Sequence, residues 1–395
     1  MDIYADNAGT TKMSRPAIAA MLECMENVYG NPSSLHTTGQ RAAEIIATAR
    51  ENMATLLGCT PKEIYFTSGG SESDNQAILT AASIGEKKGK KHIITTAFEH
   101  HAVYDTVKKL EKQGYDATYL DVHPDGIISI EQLNNAIRDD TCLVTIMYAN
   151  NEIGTIQPIA DIAKICNERG VFFHTDAVQA AGHLHIDVKS LGIDMLSLAA
   201  HKFHGPKGVG LLYAKKGILV AKLIEGGAQE SGKRGGTENV PGIVSMAAAF
   251  KDVCENADSH ASIVARLRDR LIEGLEKIPH SILNGHRTTR LPNNVNLCFE
   301  GIEGESLLLM LDQKGIRASS GSACTSGSLE PSHVLLAIGR PHEIAHGSLR
   351  LTLSHDNNDE EVDYIIESVS EVVARLRDFS PLWKDMEEGR KQHVI

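Results

Sequence analysis

Seven short apolar runs alternate with helical patterns between Glu63 and Tyr213, and this alternation leaves few architectures open. The runs are Glu63–Thr67, Ile93–Ala97, Thr118–Leu120, Leu143–Tyr148, Val171–His174, Met195–Ala199 and Val209–Tyr213. Between them, apolar residues at helical spacing mark Ser71–Ile84, Tyr104–Gln113, Ile130–Ile137 and Ile159–Arg169. Two further helices, Arg15–Val28 and Gly39–Leu57, precede the first run. Strands that are apolar throughout need cover on both faces, so the pattern predicts an α/β domain with a mainly parallel seven-stranded sheet between helices. Ligands of such sheets bind beyond the carboxyl ends of the strands. The residues just past each run therefore matter first: Ser68–Ser71, Glu99–His101, Asn150–Glu152, Asp176 with Gln179, and His201-Lys202.

The order of elements changes after a polar, glycine-rich stretch, Glu230–Asn239, which reads as a binding or interface loop. A long amphipathic helix, Ser262–Lys277, leads into strand Asn294–Phe299, helix Glu305–Lys314, strand Leu349–Leu353 and helix Asp359–Arg377. At 395 residues the chain is too long for one core. We expect a large domain over residues 15–258 and a small α+β domain from residues 1–14 and 259–395. The charged tail from Pro381 is either loosely held or meets a partner. A net charge of −12 without a basic block argues against nucleic-acid binding. The longest apolar runs are too short to span a bilayer, and Met1–Asp6 has no basic n-region, so the expectation is a cytoplasmic protein off the membrane. Seven cysteines without a C-x-x-C pair fit neither a disulfide framework nor a structural zinc site.

Each strand end carries a distinct chemistry. Thr67-Ser68-Gly69-Gly70-Ser71 runs from strand through a glycine turn into a helix start, where free N–H groups and the Ser71 hydroxyl suit a phosphate; an ordinary capped helix is the alternative. Asp176 directly after an apolar strand is poorly solvated unless it holds a cation such as a protonated pyridine nitrogen, and Gln179 reaches the same ring; a helix N-cap is the alternative. His100 offers a flat ring for stacking or a proton shuttle near neutrality. Lys202 ends the run Met195–Ala200 and is fenced by small residues, which favours an unprotonated amine able to form a Schiff base; a surface turn is the alternative. The 18 histidines include His100-His101, His183/His185 and His201/His204, but no H-E-x-x-H or similar ligand spacing accompanies them, so no resident metal is expected.

Two more features lie in the second half. Ala318–Ser328 consists of small residues around one thiol, Cys324, an arrangement suited to a travelling nucleophile; a linker with an incidental cysteine is the alternative. In Ser348-Leu349-Arg350-Leu351-Thr352-Leu353 the leucines alternate into a core, so Arg350 points the other way and is suited to hold a carboxylate; an ordinary surface arginine is the alternative.

With these stretches, and with Asp6-Asn7, Asn31–His36, Asn150–Gly154, Gly205-Pro206-Lys207-Gly208 and Arg234–Thr237, the chain resembles cysteine desulfurases of the NifS/IscS kind along nearly its whole length. These are class V, fold-type I pyridoxal phosphate enzymes. The resemblance implies that Lys202 carries pyridoxal 5′-phosphate, Asp176 pairs with its ring nitrogen, and His100 stacks and transfers protons. It implies Gln179 and Asn151 at the ring and substrate, Gly70, Ser71 and His201 at the phosphate, and Thr237 at the phosphate of the second subunit of a homodimer. Arg350 would hold the carboxylate of L-cysteine. Cys324 would take the sulfur as a persulfide for an iron–sulfur scaffold or other acceptor, and serve at most as a transient iron–sulfur ligand. A selenocysteine lyase or another class V aminotransferase-like enzyme would share every cofactor residue. Two positions depart from the family pattern: Ala199 replaces a phosphate-binding Ser, and Gly9 replaces an Ala.

Overall fold

The buried parallel strands form one sheet, and their order sets the position of every strand-end residue. The computed structural model describes residues 1–320 and 331–395. Strand β1 is Ile3–Tyr4, followed by β2 Ile64–Thr67, β3 His92–Thr96, β4 Asp116–Leu120, β5 Thr141–Thr145, β6 Phe172–Asp176, β7 Met195–Ala199 and β8 Gly210–Ala214. These last seven make a seven-stranded sheet in the order β2-β8-β7-β6-β5-β3-β4. Pairs from β4 to β7 are parallel, whereas β8 is antiparallel to both β7 and β2. Every residue of β3, β5, β7 and β8 is buried, as strands covered on both faces must be.

The expected strands all occur, with ends shifted by up to three residues. The run through Leu143–Tyr148 leaves regular strand at Thr145, although Ile146 and Tyr148 still donate to the His174 and Asp176 carbonyls. A helix that the alternation did not reveal spans Val240–Glu255. It packs against helices Arg15–Asn27 and Thr37–Leu56 and buries Val240, Ile243, Met246, Ala249, Phe250 and Val253. Buried on several sides, it has no polar face to produce an amphipathic signal.

The rest of the chain adds β9 Ser281–Leu283, β10 Asn294–Phe299, β11 Ile316–Arg317 and β12 Ser348–Thr352. Strands β12, β10 and β9 form an antiparallel sheet, and β1 pairs with β11. Helices Ala257–Leu275, Gly304–Gln313 and Asp359–Phe379 cover this layer, with Leu349, Leu351 and Leu353 in its core. Ile3 and Ala5 belong to the same core, so the first residues are built into the last third of the chain. The tail is docked: the Arg377 guanidinium lies 4.0 Å from the Trp383 ring, and His393 Nδ1 is 2.9 Å from Glu300. No helix among the described residues is long and apolar enough to cross a membrane.

Candidate active site

The carboxyl ends of β3, β5, β6 and β7 open on one cavity of about 430 Å³. Gly70, Ser71, His100, Asn151, Asp176, Gln179, His201, Lys202 and Arg350 all line it, though they span 280 positions of sequence, 350 − 70. Thr237 does not; it is exposed in a separate cleft with Ser68, Arg234 and Asn239. Cys324 lies outside the described residues.

Lys202 follows β7 in a short turn of 3-10 helix, Ala200–Lys202. Its Nζ donates to the carbonyls of Ala8 (2.5 Å) and Gly9 (2.7 Å). The N-terminal segment thus holds the amine inside the cavity, an arrangement that strand-end reasoning did not supply. Gln179 Nε2 donates to the same Ala8 carbonyl at 3.0 Å. His201 meets Thr10 through Nδ1 at 3.1 Å, and burial pushes its imidazole down to about 4, so the ring is neutral.

Asp176 closes β6 and is nearly buried. Its Oδ1 accepts the Val178 N–H at 2.9 Å. Burial raises this carboxyl above its usual range, while His100, the Val178 N–H and Lys202 oppose the rise. His100 caps the helix His101–Glu111 by accepting the Ala102 N–H at Nδ1 (3.2 Å), which leaves Nε2 to carry the proton of the neutral ring. Burial holds that ring below the usual imidazole range.

Helix Gly70–Glu86 begins at the cavity wall, and its first N–H groups have no acceptor within the helix. Glycine leaves Val178 room there: a Cβ at position 70 would stand 2.8 Å from Val178 Cγ2. Arg350 projects from β12 opposite its leucine neighbours, as the alternation predicts, and is 3% exposed. It donates to Asp6 Oδ1 (2.9 Å) and the Asn151 carbonyl (3.2 Å). Its Nε is buried with no hydrogen-bond partner among the described residues.

Two wall residues carried no assigned role in the sequence reading. Asp6 orients Arg350, and its only signal was its place in the Asp6-Asn7 motif. Asp74 is a polar residue on the buried face of its helix. Gly9 lies against the same carboxylate: a Cβ there would stand 2.6 Å from Asp6 Oδ2, which would have to turn aside.

The donor set fits a phosphorylated pyridine aldehyde: a lysine amine, a buried carboxylate for a ring nitrogen, a flat ring and a helix N-terminus for the phosphate. A buried carboxyl such as Asp176 regains its ionised form beside a cation, which a protonated ring nitrogen provides. Comparison with known proteins agrees with that class. The Aminotransferase class-V family profile matches residues 3–365. "Cysteine desulfurase IscS" of Methanosarcina thermophila is 55% identical over 96% of this chain and 94% of its own length. "Cysteine desulfurase IscS" of Clostridium botulinum (strain Hall) is 50% identical over 99% of both chains. Among solved structures, a "NIFS-LIKE PROTEIN" superposes with a TM-score of 0.90 at 39% identity, covering 95% of this chain and 100% of that one. Another, titled "SspA in complex with cysteine", gives 0.80 at 36% identity, covering 90% and 99%. The chain belongs to the class-V aminotransferase family, in its cysteine desulfurase branch. Its cofactor is pyridoxal 5′-phosphate and its fold is fold-type I.

Proposed function

We propose that this chain converts L-cysteine to L-alanine and leaves the sulfur on Cys324 as a persulfide, which passes to an iron–sulfur scaffold or another acceptor protein. The observation that carries this reading is the meeting of Lys202, Asp176 and the incompletely partnered Arg350 in one buried cavity. When bound, pyridoxal 5′-phosphate supplies an electron sink that labilises the α-proton and then the sulfur of the amino acid. Lys202 would hold the cofactor through its amine and, with the amine free, would carry the α-proton. Arg350 Nε is placed to add a charge-assisted hydrogen bond to the substrate carboxylate, while Asp6 and the Asn151 carbonyl hold the guanidinium still. Asp176 keeps the ring nitrogen protonated. Neutral His100 would cover the ring and supply a proton through Nε2. The Cys324 thiolate attacks the substrate sulfur; an S–S bond forms, the C–S bond breaks, and Cβ receives the electron pair and a proton. L-cysteine and one thiol thus become L-alanine and one persulfide, without an external oxidant or reductant.

The same reading makes the enzyme a homodimer in the cytoplasm. Thr237 is exposed and absent from the Lys202 cavity, as a residue serving a neighbouring subunit would be. The helix Arg15–Asn27 and the residues after it also expose Leu22, Met25, Tyr29 and Leu35, apolar surface that a second copy would cover.

The test is an absorbance spectrum of the purified chain before and after L-cysteine, with alanine and persulfide assayed. The expected result is a visible cofactor band that changes on substrate addition. Cys324→Ala is expected to keep that band and lose sulfide release, and Lys202→Ala to lose the band of the lysine-bound cofactor. Desulfurase activity retained in full by Cys324→Ala would exclude the role given to that thiol. Selenocysteine or a keto acid preferred over cysteine would favour a lyase or an aminotransferase instead.

A further inference from the structure

The wall of the cavity contains an acid for which the reaction above has no use. Asp74 lies in the second turn of helix Gly70–Glu86 and is 1% exposed. Its Oδ1 has no hydrogen-bond partner among the described residues. His174 of β6 faces that oxygen at 3.6 Å but does not neutralise it. The His174 ring is already engaged by Ser197 Oγ (2.9 Å) and Thr145 Oγ1 (2.8 Å), and burial pushes it down to about 3, uncharged at neutral pH. One carboxyl oxygen each of Asp74 and Asp176 and a ring nitrogen of His100 lie within 4.8 Å of one another. Two carboxyl groups this close in a buried site do not both ionise readily; they share their protons as a pair.

We propose that Asp74 is a positioning residue for the cofactor: it holds a proton beside Asp176, so that Asp176 alone carries the negative charge facing the ring nitrogen. This rests on the pocket taking pyridoxal phosphate. The groups facing Asp74 favour the protonated form on balance. Burial raises its carboxyl most, the charge of Asp176 on β6 adds to this, and Glu99 past β3 adds again; the Ser197 hydroxyl on β7 opposes. His100 and Lys202 act on Asp176, the other half of the pair. Ionisation of Asp74 would place a second negative charge beside Asp176 and bind the ring-nitrogen proton more tightly, changing the electron sink indirectly.

The test adds pyridoxal phosphate back to cofactor-stripped chain and follows the visible spectrum from neutral to alkaline pH. The wild-type chain is expected to show one more alkaline step than Asp74→Asn, a neutral isostere that keeps the shape and the bound cofactor. Ser197→Ala removes the hydroxyl that favours the ionised acid and is expected to move that same step to higher pH. A pH profile of Asp74→Asn identical to wild type would overturn the proposal, and so would a step that Ser197→Ala leaves in place. A wild-type chain that forms no visible band at all would instead overturn the reading of the pocket, and this proposal with it.

Discussion

Lys202, Asp176 and Arg350 were legible in the sequence because each stands where a simple pattern breaks: a strand end, a strand end, and a polar position within alternating leucines. Asp6 and Asp74 were not, since each acts through a neighbour distant in sequence, Arg350 and Asp176 respectively. Ala199 was legible as a departure from the family pattern, and it lines the cavity 3.6 Å from where a Cβ on Gly70 would stand. Ala199→Ser is expected to tighten cofactor binding by about 1 kcal/mol, roughly fivefold, for one added hydrogen bond; equilibrium titration of the stripped chain measures it. Arg350→Lys keeps the charge but loses the fork. It is expected to raise KM for cysteine by roughly tenfold or more, on a loss of about 1.5 kcal/mol or greater for a hydrogen bond to a charged group, with the cofactor band unchanged. Steady-state kinetics beside the spectrum separate the two effects.

At the scale of elements, alternation revealed the large sheet, whereas the helix Val240–Glu255 escaped because an apolar surface that is buried on several sides has no periodic contrast. The neighbouring glycine-rich stretch reads as a binding or interface loop, and the structure shows how it is held. Glu230, in the left-handed region at φ 47°, turns its carboxylate inward to Arg50 (2.7 and 2.8 Å) and to the Phe66 N–H (3.0 Å). This clamp ties the segment bearing Thr237 to β2 and to the helix Thr37–Leu56. Glu230→Ala leaves a partly buried guanidinium without its carboxylate and is expected to cost about 3 kcal/mol. Urea unfolding measures that loss, and the monomer–dimer balance reports whether the Thr237 segment has lost its place.

For the molecule as a whole, buried titratable groups set the pH range of stability. Burial holds His174 at about 3 and His183 at about 4. Against about 6.5 when unfolded, such depressed values mean stability that is present above that pH and lost as the pH falls. Glu99 and Glu152 are pushed up to about 8 and about 7, chiefly by burial. Their raised values act in the opposite sense, and stability is lost as the pH climbs through them. Between about 4.5 and 6.5 the two sets offset each other, so the thermal midpoint of the holoenzyme is expected to be highest in that mildly acidic range and to decline on both sides of it. Glu99→Gln should weaken the decline above that range and move the maximum towards neutrality, which a melting series across pH checks.

The hold of Ala8 and Gly9 on Lys202 has a kinetic consequence. Asn7 and Ala8 are themselves fixed by Thr352, 344 to 345 positions away, through Asn7 Nδ2 to its carbonyl and the Ala8 N–H to its hydroxyl, both at 2.8 Å. The amine-bearing wall of the cavity is thus anchored by contacts of very long sequence separation, the kind that form late because loop closure must be paid before they stabilise anything. During refolding the central sheet, whose neighbours are closer in sequence, is free to form ahead of that wall. Capture of the yellow cofactor then marks the last stage of folding, and the lag between recovered helix signal and recovered colour is the time residues 6–9 take to find strand β12.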